Sequence, residues 1–177
     1  MASNLLLRVT TAVMVALLTT LAQTAMAQEY APITGAFGFE LGQVVDEAAL
    51  DYSQKTEPGP LGIVSYRLVP PKPSRFFSTY DLAVASDTMH VVLITAMSDS
   101  YQSKTNLKED LNELMGVLED KYGPFKEHPE LVGYRLECEG KSIDANIILN
   151  RLTITYRDDE AYQARKEEKK ANDQDAL

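Results

Sequence analysis

From Ile63 to Val69 apolar and polar side chains alternate. Val64, Tyr66 and Leu68 fall on one side, Ser65 and Arg67 on the other, the two-residue period of a half-buried strand. Phe77 to Ala85 repeats the pattern with Tyr80, Leu82 and Val84. Asp87-Thr88 then turns the chain, and Met89 to Met97 is apolar on both faces. That predicts a hairpin whose second strand is the most buried of the fold. Between the first two runs, Pro70, Pro71 and Pro73 exclude a central strand, because proline gives no donor to a sheet ladder.

The period then changes. Leu107, Leu111, Leu114, Met115, Leu118 and Tyr122 recur at helical spacing and predict a helix over 106–122 with one apolar stripe. Asn106 followed by Glu109 resembles a capping box, and Gly123-Pro124 stops the helix. Three further strand candidates follow: Leu131–Cys138, Ser142–Leu149 and Leu152–Tyr156. Glu139-Gly140 and Asn150-Arg151 join them by short turns, which predicts an antiparallel meander. Ahead of these runs, Gly35–Gly42 reads as a short strand or tight turn, Gln43–Tyr52 as a short helix, and Ser53–Pro60 as a loop. The expected fold is α+β: two layers, an antiparallel sheet of about five strands, and the helix 106–122 packed on one face. Residues 28–158 form this single domain, with no internal repeat or linker. Residues 159–177 are a charged helical or disordered tail.

Residues 1–27 follow a different rule. They contain no Asp or Glu, one basic side chain (Arg8), an apolar run from Val9 to Leu21, and Ala25-Met26-Ala27. This order is that of a cleavable signal peptide, and the run is shorter than the roughly 20 residues a bilayer span needs. The expectation is an exported chain starting near Gln28, periplasmic in a Gram-negative cell and otherwise secreted, with no stable membrane span after cleavage. Cleavage leaves 16 Lys and Arg against 26 Asp and Glu, a net charge of −10. That balance argues against nucleic acid or anionic lipid as the main partner, since both need concentrated Lys and Arg.

Export makes the lone Cys138 unusual, since exported proteins carry paired cysteines or none. Its alternating setting predicts a side chain turned into the core as a small hydrophobe. The two histidines read as a satisfied sheet residue, His90, and a solvated loop residue, His128. No spacing of His, Cys and carboxylates points to a metal, no motif points to a cofactor, and no nucleophile elbow is present. Catalytic residues are therefore assigned to none. One segment has the composition of an anchor for a partner: Arg75, Phe76 and Phe77, leaving the proline-rich loop. The plainer expectation is that Phe76 or Phe77 caps the core. An open sheet face or edge is the other surface expected to take a partner.

Phe37-Gly38-Phe39-Glu40-Leu41-Gly42 and Leu118-Glu119-Asp120-Lys121-Tyr122-Gly123-Pro124 resemble stretches of small exported bacterial α+β proteins of unassigned function. The resemblance implies a periplasmic setting and no activity. The resulting expectation is an envelope protein that binds a protein or a small ligand without catalysis. The alternatives are a hydrolase or thiol enzyme with unfamiliar residues, and an inhibitor or immunity protein whose acidic surface meets a basic secreted enzyme.

Overall fold

In the computed structural model, residues 30–175 are described. The signal-peptide reading over 1–27 lies outside them. A hairpin of β1 (Gly35–Ala36) and β2 (Phe39–Glu40) precedes the main sheet. The sheet is built from β3 (Tyr52–Lys55), β4 (Ile63–Leu68), β5 (Thr79–Ala85), β6 (Val91–Met97), β7 (Lys126–Glu127), β8 (Gly133–Cys138), β9 (Lys141–Ile148) and β10 (Arg151–Asp158). Among the described residues, two α-helices, α1 (Lys104–Tyr122) and α2 (Asp159–Asp175), complete the fold. The strand order is β3-β4-β5-β6-β10-β9-β8-β7, and every pairing is antiparallel.

The fold is α+β, with eight strands in the main sheet where about five were expected. The difference lies at the edges. β3 is Tyr-Ser-Gln-Lys, exposed throughout, and β7 has two residues. Neither carries an apolar face, and short polar strands are what sheet edges tolerate. The helix expected over Gln43–Tyr52 reduces to a 3-10 turn at Glu47–Ala49, capped by Asp46. The reason is tertiary: the N–H groups of Gly42 and Val45 donate to the carbonyls of Val91 and Met89. The sheet claims that backbone before a helix can.

The apolar stripe of α1 is buried as its spacing requires: Leu107, Leu111, Leu114, Met115, Leu118 and Tyr122 all face inward. They meet Tyr66, Leu82, Ile143, Leu152, Ile154 and their neighbours on one face of the sheet. Each such side chain contributes about 1.5–3 kcal/mol of burial. The helix starts two residues earlier than expected. Ser103, in extended conformation, accepts the Asn106 N–H, so Asn106 lies inside the first turn and is not the cap. Gly123, at φ 94°, ends the helix as expected.

The charged tail is the helix α2, set against the reverse face near β6, β9 and β10. Ala83, Ala85 and Val92 are buried, yet outside the core that α1 covers. Tyr162 lies against Arg157, and Arg165 pairs with Asp87 in the β5–β6 turn.

Two tight turns close the meander. Glu139-Gly140 has φ of 51° and 73°, and Leu149-Asn150 has 51° and 59°. The second turn falls one residue before the Asn150-Arg151 expected. Positive φ at both central residues favours Asn-Gly. Leucine in that conformation costs about 1–2 kcal/mol, and Leu149 is also 88% exposed.

Candidate functional site

Strand order is symmetric about the β6–β10 pair, and so is one row of side chains. Strand register aligns Arg67, Asp81, Thr95, Thr155, Asp144 and Arg135 across six strands. The row lies on the face opposite α1, since each residue alternates with a core residue. At its centre the two threonine hydroxyls stand 3.3 Å apart. Tyr66-Arg67-Leu68 in β4 and Tyr134-Arg135-Leu136 in β8 occupy equivalent places, a match too short to register as a sequence repeat.

The two ends of the row have the same chemistry in different surroundings. Arg67 grips Asp81 with two hydrogen bonds of 3.0 and 3.1 Å, and its side chain is 42% exposed. Arg135 donates to both oxygens of Asp144 at 3.2 and 3.3 Å, but here the side chains are 20% and 10% exposed. Arg135 also reaches Glu137 at 2.6 Å and Asp159 at 3.8 Å. Arg157 pairs with Asp159 and stands 3.9 Å from Asp144. The C-terminal end is therefore a buried charge network, and the N-terminal end an exposed pair.

His128 completes the network and departs from expectation. It lies in the loop entering β8, but its side chain is 10% exposed and its Nε2 is 3.7 Å from Asp144 Oδ1. Its Nδ1 accepts the N–H of Glu130 at 3.1 Å and of Leu131 at 3.0 Å. Those two donors place the proton of neutral His128 on Nε2. The ring is thus a donor facing Asp144, with its basic nitrogen consumed by the loop. Lys126, Leu131, His128, Arg135, Asp144 and Arg157 line a cavity of about 660 Å³ on this reverse face. It falls within the roughly 300–1,000 Å³ of small-ligand sites.

Burial pushes the Asp144 carboxyl above the usual carboxylate range, partly offset by Arg135, Arg157 and His128. The folded protein then holds this proton more tightly than the unfolded chain. The group's contribution to stability is fully present below the unfolded value and is lost as pH rises through the folded one. Urea unfolding of wild type and Asp144→Asn between about pH 4 and pH 7 checks this. Wild type should lose stability relative to the variant as pH rises; a constant difference would contradict the burial account.

Arg75, Phe76 and Phe77 stand apart from this cavity. Arg75 pairs with Glu113 of α1 and stacks on Phe76 at 4.7 Å. Phe77 is buried and packs edge-on against Phe37 at 5.9 Å. The loop thus ties α1 to the sheet, with Arg75 still 67% exposed. Cys138, expected in the core, is exposed. Alternation does put it on the side of Tyr134 and Leu136, but it ends β8, beyond the cover of the core. His90, expected inside an apolar strand, is an exposed residue at the isolated bridge to Val44.

Sequence reasoning missed Arg135, Asp144 and His128 as a group. One signal was available: Asp144 breaks an otherwise apolar run, Ile143 to Ile148, together with Asn146. Among the described residues, no three His, Cys, Asp or Glu side chains are grouped to hold a metal ion. No described helix is long and apolar enough to cross a membrane. No protein-family model, curated protein or solved structure matches this chain.

Proposed function

We propose that this chain is an exported envelope protein that binds a protein or small ligand without catalysis, through the reverse-face cavity at β7–β10. One observation carries the reading: the cavity presents donors whose acid–base capacity is already in use. His128 cannot act as a general base while Nδ1 accepts two backbone amides. Arg135 and Arg157 are paired with carboxylates. Such a site recognises acceptor groups, carbonyl or carboxylate, by offering guanidinium and imidazole N–H in exchange for Asp144. Export rests on the leader pattern of residues 1–27 and on the resemblance of Phe37–Gly42 and Leu118–Pro124 to small exported bacterial proteins.

The test has two arms. N-terminal sequencing of protein expressed in a Gram-negative host should begin at Gln28, in the periplasmic fraction. A start at Met1 in the membrane fraction defeats the export reading. Capture from an envelope extract, using wild type and Lys126→Glu at low and high salt, tests the cavity. A ligand retained by wild type and lost by the variant supports it. Equal retention by both moves binding elsewhere.

A further inference from the structure

On the other side of the sheet edge, a second hollow of about 520 Å³ runs between α1 and β8. Lys104 and Lys108 of α1 form one wall, and Leu131, Val132, Tyr134 and Ile147 form the other. Two local rules are broken beside it. The first turn of α1 carries no acid and begins with Lys104, although a helix N-terminus disfavours a cation. At the adjoining β9–β10 turn, Leu149 holds a left-handed conformation while 88% exposed. The Tyr101 N–H donates to the Asn150 carbonyl at 2.9 Å, which ties these two places together. Such local violations cluster at functional sites, which motivates a closer look at this hollow.

The apolar wall is open. Leu131 is 45% exposed and Val132 70%. The Ile147 N–H donates to the Val132 carbonyl at 2.8 Å, so loop and strand form one continuous ledge. The basic wall is uncompensated: none of the ion pairs among the described residues uses Lys104 or Lys108. On a chain of net charge −9, two unpaired lysines beside an apolar ledge select an anionic head with an apolar chain. Glu127 also lines the hollow and disfavours an anion beside it.

We propose that this groove binds a single-chain anionic amphiphile, a fatty carboxylate, with its head on Lys104 and Lys108 and its chain along Val132, Tyr134 and Ile147. The groove shares Glu127, His128 and Leu131 with the reverse-face cavity, so each is tested at residues the other does not contain: Lys104 and Lys108 here, Lys126 there.

The probe is a dansylated undecanoate, followed by fluorescence with the full chain. Binding should be saturable, displaced by palmitate and not by acetate. Lys104→Glu with Lys108→Glu should weaken it at least tenfold while leaving capture by the reverse-face cavity unchanged. Val132→Glu, on the open apolar wall, should weaken it several-fold with the melting temperature unchanged, which separates lost binding from lost folding. No saturable binding by wild type, or equal binding by the lysine variant, overturns the proposal. So does retention on phosphatidylglycerol vesicles without binding of the monomeric probe.

Discussion

Replacing Gly133 with valine is expected to cost roughly 3 kcal/mol and to dismantle the β7–β8 edge. A Cβ at this position would sit 2.2 Å from the Ala145 carbonyl oxygen, 2.4 Å from Asn146 Oδ1 and 2.7 Å from Asn146 Cα. Two of those three atoms are backbone of the paired strand β9, so relief requires the strands to separate. Separation would endanger the His128 N–H bond to the Gly133 carbonyl and the Ile147 N–H bond to Val132. Both hollows depend on that edge. Urea unfolding followed by circular dichroism measures the loss, and amide exchange should localise it to Lys126–Ile148. Gly116→Ala is the matched control. Gly116 is exposed in α1 with nothing within 4 Å of an added Cβ, so alanine there should stabilise by about 1 kcal/mol. A Gly133→Val protein as stable as wild type would mean that β8 and β9 are not paired at this distance.

Arg135→Ala should destabilise by roughly 3 kcal/mol, and Arg67→Ala by about 1 kcal/mol or less. Both arginines follow a tyrosine, precede a leucine and grip an aspartate in the same row. Their environments differ. Losing Arg67 leaves Asp81 where water can reach it, beside a position that was already 42% exposed. Losing Arg135 leaves Asp144 buried, with Arg157 at 3.9 Å and His128 at 3.7 Å as its remaining partners. An uncompensated buried charge is the costly outcome, more so than the absence of the pair itself. The double variant Arg135→Ala with Asp144→Ala should therefore lose less than the sum of the two single changes. The Arg135→Ala penalty should also shrink toward pH 4, where Asp144 can take up a proton instead. Equal penalties for Arg67→Ala and Arg135→Ala in urea unfolding would refute the difference in burial.

The arginine prediction rests on one half of the sheet being closed where the other is open, and that asymmetry was not legible in the sequence. Tyr-Arg-Leu occurs twice, and the alternation around each copy is equally clear. What differs is the cover: the loop carrying His128, and the helix α2 carrying Asp159, both fold over Arg135. The strand register that brings Asp144 beside Arg135 follows from a tight Glu139-Gly140 turn that could be read directly. His128 could not be read, because its loop is polar and its ring is held by amides only two and three residues on. Cys138 shows the same limit in reverse. Its alternation was correct, and the core simply ends before it.

Wherever a segment carries its own period, sequence alone determined its structure. The strands β4, β5, β8, β9 and β10, the stripe of α1 and its glycine stop follow from side-chain spacing, because burial of one face is decided locally by alternation or helical repeat, and β6 follows from its unbroken apolar run. Segments without a period were settled by the tertiary structure. Tyr52–Lys55 is strand because an edge needs no apolar face, and Gly42–Val45 is extended because the carbonyls of Val91 and Met89 take its amides. Charge was decided there too. The 26 acidic residues give a net value from the sequence, but only the folded chain buries Asp144, leaves Lys104 and Lys108 unpaired, and so gives each charge a separate energy. Desolvation depends on what lies above a residue, and in this fold that cover comes from segments far along the chain.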